Sequence, residues 1–438
     1  MTTTGEEAGR PGDPATGAGA AETEVRPDPE TSAAVRAAAV AAHRAAGSLA
    51  SAPEEAIGRA LRAMAERLGQ AGDAIRAANE DDMRAAGEAG LTGALQDRLR
   101  LDETRLKGIA GQLLALAEVP AEPSSRIIRE LPDGLVAQER RRPVGVIGAN
   151  FEARPNVVAD IASQLIKSRN AGVLRTGSAA LRSAIALADE VVAPALDDAG
   201  LDPGAIQLIR VPGQAAAYAL VSEPELIPLV ILRGSGASTR ALAFAGARHG
   251  VRTLAHADGG AVVFIDAGAG QETALRLIEN SLDRLGVCNR LNLLLVDEQR
   301  WDELIPPVTA LLSKLGITAS LPPHDHPLGH EWALDTGREA TVTIAPAGGA
   351  AAAAAIANDE TSGLAAAIVT EDRAAVDSFF GAYTGTGAFW NATPRLLDGY
   401  KLLAVPETGI NIDKVPGPRG PVTFRDLYLR QFVIVPQG

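Results

Sequence analysis

Short apolar segments alternate with helical patterns through the middle of the chain, and this alternation limits the fold more than any other feature. The segments typical of strands are Val144–Gly148, Ala171–Arg175, Ile206–Val211, Pro228–Leu232 and Val251–Leu254. The helical patterns between them cover Asn156–Ser168, Ser178–Ala199, Ala215–Ser222 and Ser238–Arg248. Such repetition predicts an α/β fold, with a parallel sheet covered by helices on both faces. Ligands of these sheets bind outside the carboxyl ends of the strands.

The alternation resumes from Ala261 to about Ala388 and predicts a second α/β unit. Its strands are expected at Ala261–Asp266, Leu291–Val296, Thr341–Ile344 and Ala366–Val369. Before the first unit, strong helix formers predict helices over Ala33–Ala50, Pro53–Ala78 and Glu103–Ala117. Because the chain has 438 residues, two or three domains are expected.

The segment of about residues 124–141 has the pattern of a β-hairpin. Ile127-Ile128 and Leu135-Val136 flank the turn-forming sequence Pro132-Asp133-Gly134. Charged residues on both sides predict an exposed arm, and Phe432–Val435 is expected to add an edge strand at the end of the chain. Because unpaired strand edges invite partners, we expect a homo-oligomer.

Composition excludes several classes of function. With 41 Lys and Arg against 54 Asp and Glu, the net charge is −13, and aromatic residues make up only 3%. A chain this acidic is a poor ligand for nucleic acids and anionic membranes. Residues 1–32 are mostly small or polar, which predicts a disordered leader, and no apolar segment suits an export signal or a membrane span. We therefore expect a cytoplasmic protein.

The sole cysteine lies in the sequence Gly286-Val287-Cys288-Asn289, between a predicted helix (Gln271–Leu285) and a predicted strand. A single cysteine excludes an internal disulfide and any site with several thiolates. A thiol in a loop beside a strand is accessible to substrates and forms covalent acyl intermediates readily. The alternative is a small buried hydrophobic residue.

A glycine-rich turn follows one predicted strand and opens a helix. Gly234 and Gly236 lie in the turn Arg233–Thr239, where backbone N–H groups could hold a phosphate. The third glycine of a dinucleotide motif is missing, so a simple tight turn is an equal alternative. Arg175, which ends another strand, could bind a ribose phosphate, although a solvated loop arginine is the simpler interpretation.

Histidines raise the question of a metal. His324, His326 and His330 lie close together, but no cysteine accompanies them and prolines surround them, so we predict no metal site. His256 and Asp258 could form an acid–base pair, although a surface turn is the more common outcome for such a sequence.

Several segments together resemble one family, γ-glutamyl phosphate reductase (glutamate-5-semialdehyde dehydrogenase) of the aldehyde dehydrogenase superfamily. They follow the family's order from about residue 33 to the C-terminus: Ala77-Ala78-Asn79 with Asp81, Arg98–Asp102, Pro143–Gly148, Phe151–Val157, Lys167-Ser168, Val287-Cys288-Asn289, Ile368–Asp372, Trp390–Thr393 and Arg419–Val422. Each segment alone is weak, whereas the ordered set is specific.

The resemblance implies a fold, a mechanism and a cofactor. Cys288 would attack an activated acyl carbon, and NADPH would reduce the resulting thioester to an aldehyde. Asn289 and Asn156 would line the site and donate to the oxyanion or the leaving group. Arg175 with nearby Ser178 would hold the adenosine ribose, and the turn containing Gly234 and Gly236 would lie beside the pyrophosphate.

The resemblance also implies domain limits. The cofactor-binding domain would cover residues 33–254, with the arm inserted at about 124–141, and the catalytic domain would cover residues 255–388. Residues 389–438 would return to the cofactor domain and supply an oligomerisation tail.

Departures from the family pattern suggest a changed substrate. Ala255 stands where the pattern has a glutamate, which argues against aldehyde oxidation, and Leu364 stands where it has a histidine. Arg169 replaces a glycine in the family's Lys-Ser-Gly-Asn segment. Losing paired polar groups costs about 1–3 kcal/mol each, so the replacements suggest a less polar acid.

We therefore expect an NADPH-dependent reductase of an activated acid other than glutamate in specialised metabolism. The activated acid would be an acyl phosphate or an acyl adenylate, and an aromatic acid is one candidate. A separate ATP-dependent ligase would activate the acid, because the chain lacks a Gly-x-x-x-x-Gly-Lys-Ser/Thr loop. Two alternatives remain at this point. One is the glutamate-5-semialdehyde dehydrogenase of proline biosynthesis, and the other is a non-catalytic partner subunit of the same fold.

Overall fold

The computed structural model describes residues 25–437, with the exception of residues 92, 153, 257, 336 and 414–416. Most of the predicted leader, residues 1–24, lies outside the described residues. Helix α1 (Pro29–Ala50) begins within the described part of the predicted leader, residues 25–32. At its start the Asp28 carboxylate accepts a hydrogen bond from the Thr31 N–H at 2.8 Å. The predicted end of the leader at residue 32 is therefore wrong, because this N-cap starts the helix about one turn earlier.

Four further helices precede the first sheet. They are α2 (Glu54–Gln70), α3 (Gly72–Glu88), α4 (Gly93–Leu99) and α5 (Glu103–Glu118). The single helix expected over Pro53–Ala78 is thus two helices, which join near Ala71. The apolar residues Ile57, Leu61, Met64 and Leu68 of α2 are all buried, as their helical spacing predicts.

The first alternation forms a parallel sheet whose order, among the described residues, is β5-β4-β3-β6-β7. In chain order its elements are β3 (Val146–Phe151), α6 (Val157–Lys167), β4 (Ala171–Thr176), α7 (Leu181–Leu187), α8 (Ala193–Asp198), β5 (Ile206–Leu208), α9 (Ala215–Leu220), β6 (Leu229–Arg233), α10 (Gly236–His249) and β7 (Arg252–His256). Helices cover both faces, so successive residues of β3 pack into two different apolar clusters.

The second alternation forms a parallel sheet of order β10-β11-β9-β8-β12-β13 within the same described part. Its elements are β8 (Ala261–Ile265), α11 (Gln271–Asn280), β9 (Leu291–Asp297), α12 (Trp301–Lys314), β10 (Thr318–Ser320), β11 (Thr341–Ala347), α13 (Ala350–Glu360), β12 (Ala365–Val369), α14 (Arg373–Ala382) and β13 (Gly387–Trp390). The predicted α/β class is confirmed.

The arm is an antiparallel hairpin of β1 (Ser125–Leu131) and β2 (Leu135–Pro143). Asp133 and Gly134 in its turn have φ angles of 61° and 66°, a conformation that suits glycine and aspartate. The C-terminal segment adds α15 (Gly399–Leu403), the small ladder of β14 (Gly409–Asn411) with β15 (Gly420–Val422), and β16 (Tyr428–Pro436). Strand β16 pairs with β2, so the end of the chain extends the arm to three strands.

No described helix has both the length and the apolar character that crossing a bilayer requires.

Candidate active site

Cys288 lies in irregular chain between α11 and β9, at the boundary between the two sheets. Helix α11 ends at Asn280, five residues before the predicted end, and this leaves a longer loop around the cysteine. The thiol is half-buried and lines a cavity of about 80 Å³. The cysteine therefore faces a cleft, as its predicted role requires.

Three arginines converge on this cavity from different elements. Arg98 comes from α4, Arg154 follows β3, and Arg233 ends β6. Arg98 donates to the Gly286 carbonyl oxygen at 3.0 Å, on the loop that carries Cys288. Burial and the two neighbouring guanidinium groups lower the pKa of Arg154 to about 10. The cavity therefore brings three guanidinium groups together beside the thiol.

Two half-buried carboxylates, in addition to Glu152 in the lining, lie near these arginines. Glu331 lines the cavity and accepts a hydrogen bond from the Gly259 N–H at 2.9 Å. Glu407 lies close enough to affect the thiol and accepts from the Gly399 N–H at 2.6 Å. Burial raises the pKa of both carboxyl groups, so each can hold a proton more readily than an exposed glutamate.

Gly259 permits a close approach between Glu331 and Cys288. A Cβ on Gly259 would lie 2.5 Å from Glu331 Oε1 and 2.9 Å from the Cys288 Cα. Both residues thus pack against the same bare backbone atom, and any side chain at position 259 would push them apart.

The thiol is not activated in this state. Burial and the negative charge of Glu407 outweigh the effect of Arg154 and Arg233, and they raise the pKa of Cys288 to about 11. A thiol with this pKa is almost fully protonated at neutral pH, so its attack requires a proton acceptor.

His256 and Asp258 do not form the acid–base pair that was considered as an alternative. His256 ends β7, and its Nδ1 lies 2.8 Å from the Ile410 carbonyl oxygen and 3.2 Å from the Ile410 amide nitrogen. Asp258 instead forms an ion pair with Arg240 on α10. Burial and Arg233 lower the pKa of His256, which keeps its ring neutral beside the arginines.

The predicted contribution of Asn289 to the site is wrong for its side chain. Its amide Nδ2 donates to the Leu397 carbonyl oxygen at 2.9 Å, and its Oδ1 accepts from Arg395. The residue is 3% exposed. Cys288 therefore lines the cleft, whereas the next residue, Asn289, is buried in the core.

Asn156 also makes a different contact from the one predicted. Its Nδ2 donates to Asp160 Oδ2 at 2.9 Å, while the cavity is lined by its neighbours Arg154 and Val157. Burial raises the pKa of Asp160 to about 6. In this structure Asn156 therefore orients the start of α6 rather than pointing at the thiol.

A groove of about 380 Å³ follows the carboxyl ends of β3, β4 and β6, where ligands of parallel sheets bind. Arg175, Ser178 and Gly234 line it, as predicted. Arg175 donates to Asn150 Oδ1 at 3.0 Å and to the Gly213 carbonyl oxygen at 2.6 Å. Its buried Nε finds no hydrogen-bond partner among the described residues.

Gly236 has a different role from the one predicted. It begins α10, but a Cβ there would collide with the Asp258 carboxylate rather than fill the groove. Gly234, Ser235 and Ser238 at the same helix start do face the groove or its extension. The N-terminus of α10, the unpartnered Arg175 Nε and the position of the groove at the carboxyl ends of the strands together fit a dinucleotide.

The groove and the Cys288 cavity are continuous. Arg98, Phe151, Glu152, Arg154, Arg233 and Gly234 line both. A ligand in the groove would therefore reach the thiol.

The histidine cluster makes other contacts. His326 Nε2 lies 2.7 Å from Ser320 Oγ, and His330 Nε2 lies 2.9 Å from Asp335 Oδ2. Both rings pack edge-on against the buried Trp332. Within the described ranges, no group of three or more His, Cys, Asp or Glu residues could hold a metal ion.

Sequence reasoning missed Glu331 and Glu407. Glu331 follows the loop of histidines and prolines, which is typical of exposed chain, and Glu407 lies in a segment without periodic pattern. The one available indication was that Glu331 immediately precedes a tryptophan, a residue that is usually anchored by packing.

Comparisons with known proteins identify relatives that match most of this chain. The aldehyde dehydrogenase family model matches residues 12–329. A gamma-glutamyl phosphate reductase of Caulobacter vibrioides is 34% identical over 388 residues, which cover 86% of this chain and 92% of that protein. One from Anaeromyxobacter dehalogenans is also 34% identical, with 86% and 91% covered.

Among solved structures, gamma-glutamyl phosphate reductase from Thermotoga maritima has a TM-score of 0.82 at 25% identity, and the match covers 92% of this chain and 98% of that chain. The chain therefore belongs to the gamma-glutamyl phosphate reductase family, within the oxidoreductases of the aldehyde dehydrogenase superfamily.

Proposed function

We propose that this protein reduces an acyl phosphate to an aldehyde and carries the acyl group as a thioester on Cys288. The observation that supports this most strongly is the convergence of the only cysteine with Arg98, Arg154 and Arg233 in one cavity. Guanidinium groups bind phosphate through strong charge-assisted hydrogen bonds. A phosphate leaving group would thus be held where the sulfur attacks.

The side chains suggest the order of events. Cys288 Sγ bonds to the acyl carbon while the bond from that carbon to the phosphate oxygen breaks, and the phosphate leaves toward the arginines. The thiol proton passes to Glu331, whose raised pKa suits a proton acceptor. When bound, the nicotinamide cofactor supplies the hydride for reducing the thioester. Release of the aldehyde then breaks the carbon–sulfur bond, and Glu331 returns the proton to the sulfur.

NADPH is the proposed cofactor. Arg175, with its unpartnered Nε, and Ser178 lie together at the end of β4, where an extra phosphate on the ribose would be balanced. The engineered glycolyl-CoA reductase solved with bound NADP+ shares this fold, with a TM-score of 0.70 at 15% identity.

γ-Glutamyl phosphate is the first candidate substrate, because the curated relatives carry the name of its reductase. This favours the proline-biosynthesis alternative over the predicted specialised acid reductase. The arginines also make the cavity more polar than the substitutions suggested.

One observation keeps a less polar acid as the second candidate. Cys288 packs against an apolar cluster that includes Leu364, Ala365 and Ile410. An apolar acyl group would fit beside such a cluster, while its phosphate met the arginines. A separate ATP-dependent enzyme would have to supply either substrate.

An NADPH-oxidation assay distinguishes these candidates. One arm generates γ-glutamyl phosphate from glutamate and ATP with a separate kinase, and the others supply aromatic or aliphatic acyl phosphates. Turnover with glutamate, together with growth of a proline auxotroph that lacks the reductase, supports the first candidate. Turnover with apolar acyl phosphates alone supports the second.

Cys288→Ala is the matched control for this assay, and it should abolish turnover with any accepted substrate. Absence of turnover in every arm, with no NADPH binding, would favour the non-catalytic alternative.

Self-association is proposed from the arm. Its three-stranded sheet exposes the large apolar side chains Ile127, Ile128, Leu429, Phe432 and Ile434. Exposed apolar patches of this kind mark interaction sites, and a second copy of this chain is the proposed partner. Light scattering should show an oligomer, and Phe432→Arg should shift the mass toward the monomer.

A further inference from the structure

A second cation-lined cavity of about 400 Å³ lies at the root of the arm, and we call it the arm-root cavity. Its walls are the end of β2 (Arg141–Pro143), the end of α6 with the residues after it (Lys167–Arg169), and the chain entering β16 (Phe424–Tyr428). Because β3 and β4 start beside these walls, the cavity lies at the amino ends of the strands. The Cys288 cavity and the groove lie at the opposite, carboxyl ends.

Positive charge exceeds negative charge around this cavity. Arg141, Arg142, Lys167 and Arg169 line it, and among the described lining residues only Glu122 is acidic. Glu54 adds a second carboxylate, which lies 2.6 Å from Lys167 Nζ and 2.8 Å from Arg169 Nη2. Glu122 is shared between Arg141, at 3.4 Å, and Arg425, at 2.7 Å. Two carboxylates thus face five cations in a chain whose net charge is −13.

The cations differ in how firmly they are held. Lys167 is buried, with a side chain 1% exposed, and it also donates to the Val119 carbonyl oxygen at 2.7 Å. Arg142 is exposed and makes no side-chain hydrogen bond or ion pair with the described residues. The cavity therefore combines a fixed cation in its wall with a free one at its mouth.

Arg169 adopts a backbone conformation that favours glycine. Its φ is 58°, which costs a residue with a side chain about 1 kcal/mol or more. In return, its guanidinium group reaches the Ala52 carbonyl oxygen at 3.1 Å as well as Glu54. Side chains held in strained backbone conformations are concentrated at functional sites. Arg169 thus supplies a guanidinium group to the cavity lining, although a glycine would adopt this φ without the free-energy cost.

We propose that the arm-root cavity binds a small anion with two or more negative charges, such as a phosphate ester or a polycarboxylate. The excess cations would bind its oxygens, and Ser124 lies in the same lining. The ligand would bridge the arm to the five-stranded sheet, so its binding stabilises the folded protein. The proposal does not depend on the reaction proposed for Cys288.

The test is thermal unfolding of the full chain with inorganic phosphate or citrate, against sodium chloride at equal ionic strength. We expect a saturable rise in Tm of at least about 2 °C with one or both anions. A larger rise with phosphate favours a phosphate ester, and a larger rise with citrate favours a polycarboxylate. No rise with either anion overturns the proposal.

Variants separate this cavity from the active-site arginines, which could also bind phosphate. The anion-dependent rise in Tm should persist in Arg233→Ala and disappear in the double variant Arg142→Ala/Arg169→Gly. Glycine suits the φ of residue 169, and activity should be unchanged because neither residue contacts the Cys288 cavity. If the double variant does not fold, the exposed Arg142→Ala alone should weaken binding several-fold. The proposal is overturned if the rise in Tm is lost in Arg233→Ala, or if it is fully retained in the variants at Arg142 and Arg169.

Discussion

The two ends of the five-stranded sheet each carry an arginine-lined cavity, but their arginines are in different states. At the arm root, Arg141 and Arg169 form ion pairs with Glu122 and Glu54. Beside Cys288, Arg154 and Arg233 form no ion pair or hydrogen bond through their side chains with the described residues. At the arm root only the positive charge in excess of the two carboxylates is left for an anion, whereas beside Cys288 both arginines are available to a substrate.

The cavities also differ in their chemistry. The described lining of the arm-root cavity contains no thiol. The cavity at the other end contains the Cys288 thiol and Glu331, with Glu407 nearby, and the pKa values of both carboxyl groups are raised. Perturbed ionisable groups in a cleft are typical of catalytic sites. Cationic lining alone therefore predicts anion binding, and a cationic lining with a nucleophile and a proton acceptor predicts group transfer.

The largest difference between the two ends should appear in catalysis. Arg154→Gln or Arg233→Gln removes a group proposed to bind the leaving phosphate, and we expect kcat/KM to fall about 10- to 100-fold. Steady-state kinetics with an accepted acyl phosphate measures this. Arg142→Gln, the matched change at the arm root, should leave kcat/KM unchanged, and a similar fall there would remove the distinction between the ends.

A smaller effect is expected on the thiol itself. Negative charge raises the pKa of Cys288 and positive charge lowers it. Glu407→Gln should therefore lower this pKa and speed alkylation by iodoacetamide at pH 8, whereas Arg154→Gln should raise it and slow alkylation. The rate in the native protein should keep rising with pH toward about 11.

Because the chain has a single cysteine, this alkylation reports on Cys288 alone. Glu122→Gln is the control at the arm root and should leave the rate unchanged. An alkylation rate that changes in the same direction in Glu407→Gln and Arg154→Gln would show that these two charges do not set the pKa of Cys288.

The sequence predicted the fold well where local pattern and tertiary packing agree. Strand–helix alternation identified both sheets, because a strand buried on both faces must be continuously apolar. The join between α2 and α3 was missed, because good helix formers continue through Ala71 and only tertiary packing sets the break.

The site was predicted in part. Cys288 and the groove at Arg175 follow from strand ends and loop chemistry, which sequence can reveal. The side-chain direction of Asn289 could not be predicted, because it depends on Arg395 and Leu397, about a hundred residues away. Glu331 escaped notice for the same reason, since only the fold brings it to Gly259.

The smallest predicted effect concerns stability near the active site. Burial raises the pKa of Asp160 to about 6, above its ordinary value of 3.8. The folded state therefore binds this proton more tightly than the unfolded state, and the stability this contributes is lost as the pH rises through about 6. The Tm of Asp160→Asn, taken relative to the Tm of the native protein, should therefore be higher at pH 8 than at pH 5. Thermal unfolding of both proteins at pH 5 and pH 8 measures this difference in Tm. The same difference at both pH values would contradict the raised pKa of Asp160.

Intact-protein mass spectrometry can show whether the Cys288 sulfur carries the acyl group. The protein is incubated with an acyl phosphate that it reduces, in the absence of any nicotinamide cofactor. We expect a mass increase equal to one acyl group, which is located on Cys288 by peptide mapping and is absent from Cys288→Ala. An adduct that persists in Cys288→Ala, or reduction that continues in that variant, would show that the acyl group is not carried on this sulfur.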